Sequence, residues 1–130
     1  MTVPFVQRFL DLVVAQDTTA LADMLDPEVV WFGTRGGLDE SQVLRGPAAV
    51  LDYMVEIQEP WEEFDVEIER IIEAGDAMVV FMRESGRARH GGPEVQNDTA
   101  MIFKVRHERV VEITGYLDRD EALRAAAGRQ

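Results

Sequence analysis

The chain contains no cysteine. That absence excludes disulfides, thiolate nucleophiles and thiolate metal sites together, and it fits a reducing compartment. Positive charge is scarce: 13 Lys and Arg stand against 25 Asp and Glu, for a formal net charge of −12. Such a balance repels a phosphate backbone and an anionic membrane surface alike, so neither nucleic acid nor membrane is an expected partner. The acids are scattered along the chain and not gathered into a tail, which is the pattern of a solvated surface. No apolar run approaches the ~18 residues that a membrane-spanning helix needs. The first residues carry no basic segment followed by an apolar stretch and a small-residue cleavage site, so the expectation is a soluble, cytoplasmic protein. His90 and His107 fall in connections without a second ligand at helix or hairpin spacing. With no zinc-type spacing, phosphate-binding glycine loop, dinucleotide fingerprint or nucleophile motif, no metal and no cofactor are expected.

What is present is a chain of 130 residues, 46% of them hydrophobic, enough for one domain with one core over residues 1–130. Val3, Phe5, Val6, Phe9, Leu10, Leu12 and Val13 recur at intervals of three and four, which predicts a first helix from Val3 to Ala15. Asp17-Thr18-Thr19 supplies cap chemistry for a second, shorter helix carrying Leu21, Met24 and Leu25, which Pro27 should stop. Glu28 to Phe32 reads as a strand and the glycine-rich stretch Gly33 to Ser41 as a loop. Gly46-Pro47 opens a third helix, with proline where a missing amide does no harm, and Pro60 closes it.

From Phe64 onward the period changes to two, with Phe64, Val66 and Ile68 alternating against Asp65, Glu67 and Glu69. A tight turn at Ala74-Gly75-Asp76, an apolar run from Met78 to Glu84, a glycine-rich basic connection from Ser85 to Pro93, and strands over Val95 to His107 and Val110 to Leu117 complete the pattern. Asp118, followed by Arg119-Asp120-Glu121, is placed to cap a short terminal helix that Gly128 ends. The expected fold is α+β: a curved, mostly antiparallel sheet wrapped around three N-terminal helices, with a short C-terminal helix. A sheet curled over helices leaves a concavity, and concavities lined by apolar and aromatic groups with a few polar ones are where small molecules bind.

The succession of Arg45-Gly46-Pro47, Trp61 to Phe64, Gly75-Asp76, Gly86-Arg-Ala-Arg89 and Tyr116-Leu-Asp-Arg-Asp-Glu-Ala-Leu123 resembles the SnoaL-like branch of the nuclear-transport-factor-2-like superfamily, over nearly the whole chain. The resemblance implies a cone-shaped, cystatin-like roll with an interior pocket, a homodimer, and kinship with polyketide cyclases, ketosteroid isomerases and limonene epoxide hydrolase. Fold alone does not carry function, which rests on the catalytic residues themselves. The Arg-x-Asp of epoxide-hydrolase-like enzymes is here Arg83-Glu84-Ser85, and anchoring the last strand on Tyr116 puts Gly115 where their water-activating carboxylate would be. Anchoring two or three residues earlier would bring Asp118 near it. The ketosteroid-isomerase positions fall at Phe9, at Trp31 or Phe32, and near Met101, all apolar here; that enzyme is itself the worked case of a carboxylic acid kept protonated in an apolar site.

Alternation puts Val79, Phe81, Arg83 and Ser85 on one strand face, with Met78, Val80, Met82 and Glu84 opposite. The resemblance makes the first face the interior one. Arg83 is then a candidate for gripping a carboxylate or enolate oxygen, against the plainer reading of a solvent-facing or structural ion pair. Asn97, Thr99, Met101 and Phe103 share a face of the next strand and would line the pocket, with Asp98 facing out. A bulge after Gly91-Gly92-Pro93 would turn Asp98 inward as a general base. Trp31, Tyr53, Trp61, Phe64 and Phe81 are expected as pocket or core walls. Two functions remain open: an isomerase, cyclase or hydrolase of a small apolar polyketide- or terpene-like molecule, and a non-catalytic dimerisation or ligand-sensing module of the same fold.

Overall fold

Apolar spacing of three and four residues builds α1 (Thr2–Ala15), which buries Val6, Phe9, Leu10 and Val13 along one side. The computed structural model describes residues 2–128, with side chains from residue 4 onward; the Val3 side chain lies outside the described residues. Asp17 caps α2 (Thr18–Met24), its carboxylate accepting from the Ala20 amide at 3.1 Å. The chain then enters β1 (Leu25–Arg35), longer at both ends than the expected strand. Pro27 does not stop the helix, which has already ended. It lies inside β1 in the irregular stretch between Leu25 and Val30, where pairing with the neighbouring strand is interrupted and a missing amide costs nothing.

Gly33, Thr34 and Arg35 also belong to β1, so the loop is shorter than the glycine content implied, and a three-residue β2 (Val43–Arg45) pairs back against Val30 to Phe32. Gly46, with φ +88°, and Pro47 open α3 (Pro47–Glu56), which buries Val50 and Met54. Then come β3 (Trp61–Ala74), β4 (Ala77–Ala88), β5 (Glu94–Arg106) and β6 (Arg109–Tyr116). β4 runs on through Ser85 to Ala88, the first part of the expected basic connection, and leaves residues 89–93 as the turn before β5. Asp118 caps α4 (Arg119–Ala127), accepting from the amides of Asp120 at 2.8 Å and Glu121 at 3.3 Å, and Gly128 follows as the C-cap.

The six strands form one sheet in the order β2-β1-β6-β5-β4-β3. All neighbours are antiparallel except β1 and β6, which run parallel. An irregularity between Ile68 and Arg70 in β3 lets Ile68 and Ile71 both reach the inner core.

Both faces of the sheet are covered. On the concave side the α1 stripe packs on Met78, Val80, Met82, Phe103 and Ile113, with Phe9 and Phe103 meeting edge to face at 5.5 Å. On the convex side the small residues Ala122 and Ala126 of α4 sit on Val79, Ala100, Ile102 and Tyr116. Arg119 locks this second layer. It donates to the Thr99 and Met82 carbonyls at 3.2 and 3.0 Å, pairs with Glu69 at 2.5 Å, and lies 4.9 Å above the Phe81 ring.

The expected facing of β4 is therefore reversed. Met78, Val80, Met82 and Glu84 look into the cone, whereas Val79, Phe81 and Arg83 look outward under α4 and beside it. β5 is as expected, with Met101 and Phe103 inward and no break in its register against β4 from Arg87–Glu94 to Ala77–Lys104. Without a bulge, Asp98 stays outside.

Candidate functional site: a carboxyl group inside the cone

Register places the site. Glu84 stands opposite Asn97 and Met82 opposite Thr99 across the β4–β5 pair, so the four side chains line one patch of the concave face. The buried Thr99 hydroxyl donates to Glu84 Oε1 at 2.8 Å. Around them lies a narrow cavity of about 40 Å³, walled by Phe9, Leu10 and Val13 of α1, Trp31 of β1, Met54 and Ile57 of α3 and its end, Phe64 and Val66 of β3, and Met82 and Met101. Among the described residues Glu84 is its one ionisable lining group. Burial among these apolar side chains pushes the Glu84 carboxyl above its ordinary range, and the Thr99 hydrogen bond opposes that only in part.

The cavity leads to a mouth of about 180 Å³ that shares Ile57, Phe64 and Glu84 with it and adds Trp61, Val95 and Asn97 at the rim. Gly86 is required there. A Cβ at that position would lie 2.8 Å from Trp61 Cε3, so any side chain there would push the indole aside.

A second cluster closes the β1 end. Trp31 meets Tyr53 edge to face at 5.5 Å, and the Tyr53 hydroxyl donates in a short hydrogen bond to Asp39. The other Asp39 oxygen accepts from the Thr34 amide at 3.3 Å, which folds the loop from Gly36 to Ser41 over the strand end. Burial first, and then the bond to Asp39, raise the Tyr53 pKa, so the phenol stays protonated and serves as a latch. The indole Nε1 of Trp31, which is 5% exposed, is buried with no hydrogen-bond partner among the described residues.

The residues expected to form a site thus divide. Trp31, Phe64 and Met101 line the cavity, and Trp61 and Asn97 the mouth. Thr99 reaches the site through Glu84, and Tyr53 backs it through Trp31. Phe81 belongs to the outer layer. Arg83 and Asp98 pair with each other on the outer surface at 3.0 Å, and Arg83 also approaches Glu69 at 3.9 Å. They support the plainer reading of Arg83 as a structural ion pair. Each shifts the other toward its charged form, as an exposed pair does.

Glu84 stands inside although the resemblance puts its strand face outward; the signal that locates it is the β5 face, since Asn97 and Thr99 inward place Glu84 and Met82 inward opposite them. Phe9, Trp31 and Met101, the positions of the ketosteroid-isomerase apparatus by resemblance, all line the same cavity. Gly115 faces Met101, and a Cβ on it would come within 2.8 Å of Thr34 Oγ1. The threonine approaches where the epoxide-hydrolase carboxylate would stand. Chemically, the cavity offers one proton-exchanging group and one hydroxyl that orients it. Among the described residues no three His, Asp or Glu side chains gather to hold a metal ion, and no helix is long and apolar enough to cross a membrane.

Residues 6–113 match the SnoaL-like domain model, and the chain belongs to that family. It is similar in structure to a protein with a ketosteroid isomerase-like fold from Catenulispora acidiphila, in complex with trimethylamine (TM-score 0.75, 13% identity, 86% of this chain and 83% of that one covered). It is also similar to an NTF2-like protein of unknown function from Burkholderia pseudomallei (0.75, 19%, 94% and 94%) and to TerC co-crystallised with polyporic acid (0.74, 16%, 97% and 97%). At such identities the likeness establishes the cone fold alone. No curated protein matches the sequence.

Proposed function

We propose that the chain binds a small, largely apolar, polyketide- or terpene-like molecule in the cone and acts on it as an isomerase, cyclase or hydrolase with Glu84 as the acid–base group. The observation that carries this reading is a single carboxyl, raised in pKa by burial, at the junction of an apolar cavity and its mouth. A carboxyl so placed holds its proton closer to neutral pH and exchanges it with a bound oxygen or carbon without competition from solvent. Thr99 fixes one oxygen and leaves the other for the ligand. Similar proteins in complex with trimethylamine or co-crystallised with polyporic acid support a small molecule as the ligand. Met54, Met82 and Met101 line the cavity, and their flexible thioethers let it widen around a guest.

The test is a small-molecule thermal-shift screen of three proteins. Compounds that stabilise the parent should lose most of their effect with Glu84→Gln and keep it with Arg83→Ala, because Arg83 lies outside. Where turnover is found, Glu84→Gln should slow it by roughly 10²–10⁴, the range of a general acid–base group. Equal responses of parent and Glu84→Gln to every stabilising compound would remove Glu84 from the function.

A second reading, a non-catalytic dimerisation or ligand-sensing module, is favoured by the small enclosed volume of about 40 Å³ and by the glycine at position 115. Its observable is a homodimer at micromolar concentration by light scattering together with binding but no turnover; a monomer at that concentration would dispose of the dimer.

A further inference from the structure

Asn97 is the only asparagine in the sequence, and it stands in β5, although asparagine is depleted from strands because it suits their pleated surface poorly. Its position is specific. Asn97 is the register partner of Glu84, and residues directly opposed in an antiparallel pair share a face with their Cβ atoms about 5 Å apart. Both line the mouth of the cone. The Thr99 hydroxyl, two positions further in along β5, occupies Glu84 Oε1. Among the described residues Glu84 makes no other hydrogen bond or ion pair, and the exposed Asn97 carboxamide makes none. The mouth holds no cation among those residues either, since its other walls are Ile57, Trp61, Phe64, Ser85, Gly86 and Val95.

We infer that Asn97 and Glu84 together grip a neutral oxygen of the bound molecule at the mouth, so that the guest enters with its apolar end first and keeps its oxygenated end beside Asn97. The inference rests on the reading of the cone as a ligand site and adds the class and the orientation of the ligand. A carboxylate or phosphate would meet Glu84 with no cation to offset the repulsion, so the oxygen is an uncharged one. The carboxamide can donate an N–H to a carbonyl or hydroxyl oxygen, and its own oxygen can accept the proton of a hydroxyl. Beyond Glu84 the cavity is walled by apolar and aromatic side chains, so an oxygen pushed deeper would leave its hydrogen bonds to water behind. The inner volume of about 40 Å³ against about 180 Å³ at the mouth sets the proportions of the guest: a small alkyl end inside and a larger, flat body beside the Trp61 indole.

The experiment uses the full chain with isotope-labelled asparagine, whose single side-chain amide reports on Asn97 alone. The probes are para-methylacetophenone and its hydrocarbon isostere para-isopropenyltoluene, followed by that amide and by the methyl signals of Met54, Met82 and Met101. The ketone should move both sets of signals and bind the parent more tightly than the hydrocarbon, which should move the methionine signals alone. Its ring methyl should give nuclear Overhauser contacts to Met82 and its acetyl methyl to the Asn97 amide; the reverse pattern would overturn the orientation. Asn97→Leu removes the amide at similar size on an exposed site, and it should cut the preference for the ketone roughly fivefold, the equivalent of one neutral hydrogen bond. If both probes shift the methionine signals while the amide stays still, or if Asn97→Leu keeps the full preference, the cone is a ligand site and Asn97 is not part of its grip. If neither probe moves the methionine signals, the ligand-site reading falls and the grip with it.

Discussion

Gly33→Ala should cost about 3 kcal/mol or more and lower the melting temperature by roughly 10 °C, the largest effect expected of any single added methyl group in this chain. Its Cβ would lie 1.7 Å from the carbonyl oxygen of Asp39 and 2.6 Å from the carbonyl carbon. The obstructing group is backbone, so no side-chain rotation relieves the overlap. The loop must swing away, which breaks the 2.8 Å bond from the Gly33 amide to the Gln42 carbonyl, the 3.3 Å bond from the Thr34 amide to Asp39, and the Tyr53–Asp39 latch. At about 1 kcal/mol each these losses account for the total. Scanning calorimetry is the check, and a decrease below about 2 °C would mean that the loop does not rest on the strand in this way.

Glu84→Gln should behave in the opposite sense, gaining on the order of 1 kcal/mol, or ~4 °C, at neutral pH. Burial raises the folded-state pKa of Glu84 above the ordinary 4.5, so the folded protein holds this proton to higher pH than the unfolded chain does. Stability from the neutral carboxyl is therefore complete below 4.5 and is lost as the pH rises through the raised folded value. Glutamine, neutral at every pH and able to keep an acceptor toward Thr99, escapes that loss. The difference between variant and parent should be widest near pH 7 and should close on acidification toward pH 4.5. A difference that stays constant from pH 7 down to pH 4.5 would show that Glu84 ionises no differently in the folded and unfolded states.

Elements whose apolar side faces one partner were legible in the sequence. The α1 stripe, Pro47 at the start of α3, the Gly75 turn and the Asp118 cap each carry a local signal that tertiary packing did not override. β4 was different. Its residues from Ala77 to Val80 are buried without interruption because α1 packs on one face and α4 on the other, so alternation along it has no polar phase by which to tell in from out. One step of phase exchanged Arg83 for Glu84 and moved the candidate chemistry from the outer surface to the interior. The charged outer face misled in the same direction, since Arg83 has the residue type of a ligand grip but serves the lattice of Glu69, Asp98 and Arg119. The extra length of β1 was hidden because Gly33, a breaker in most strands, is the residue that lets the Asp39 carbonyl pass.

The parallel pairing of β1 with β6 has a bearing on how the site comes into being. Trp31 and Ile113 are partners across that pair, although they lie far apart in the sequence. Parallel contacts between such distant segments form late, because a long loop must close before they repay its lost entropy. During synthesis the apolar stripe of α1 emerges before β4, β5 and β6, and the wall bearing Trp31 has no neighbour on its β6 side until Arg109–Tyr116 has been made. The wall that Trp31 gives the pocket is therefore fixed only once β6 is in place, after every strand that faces it has been made.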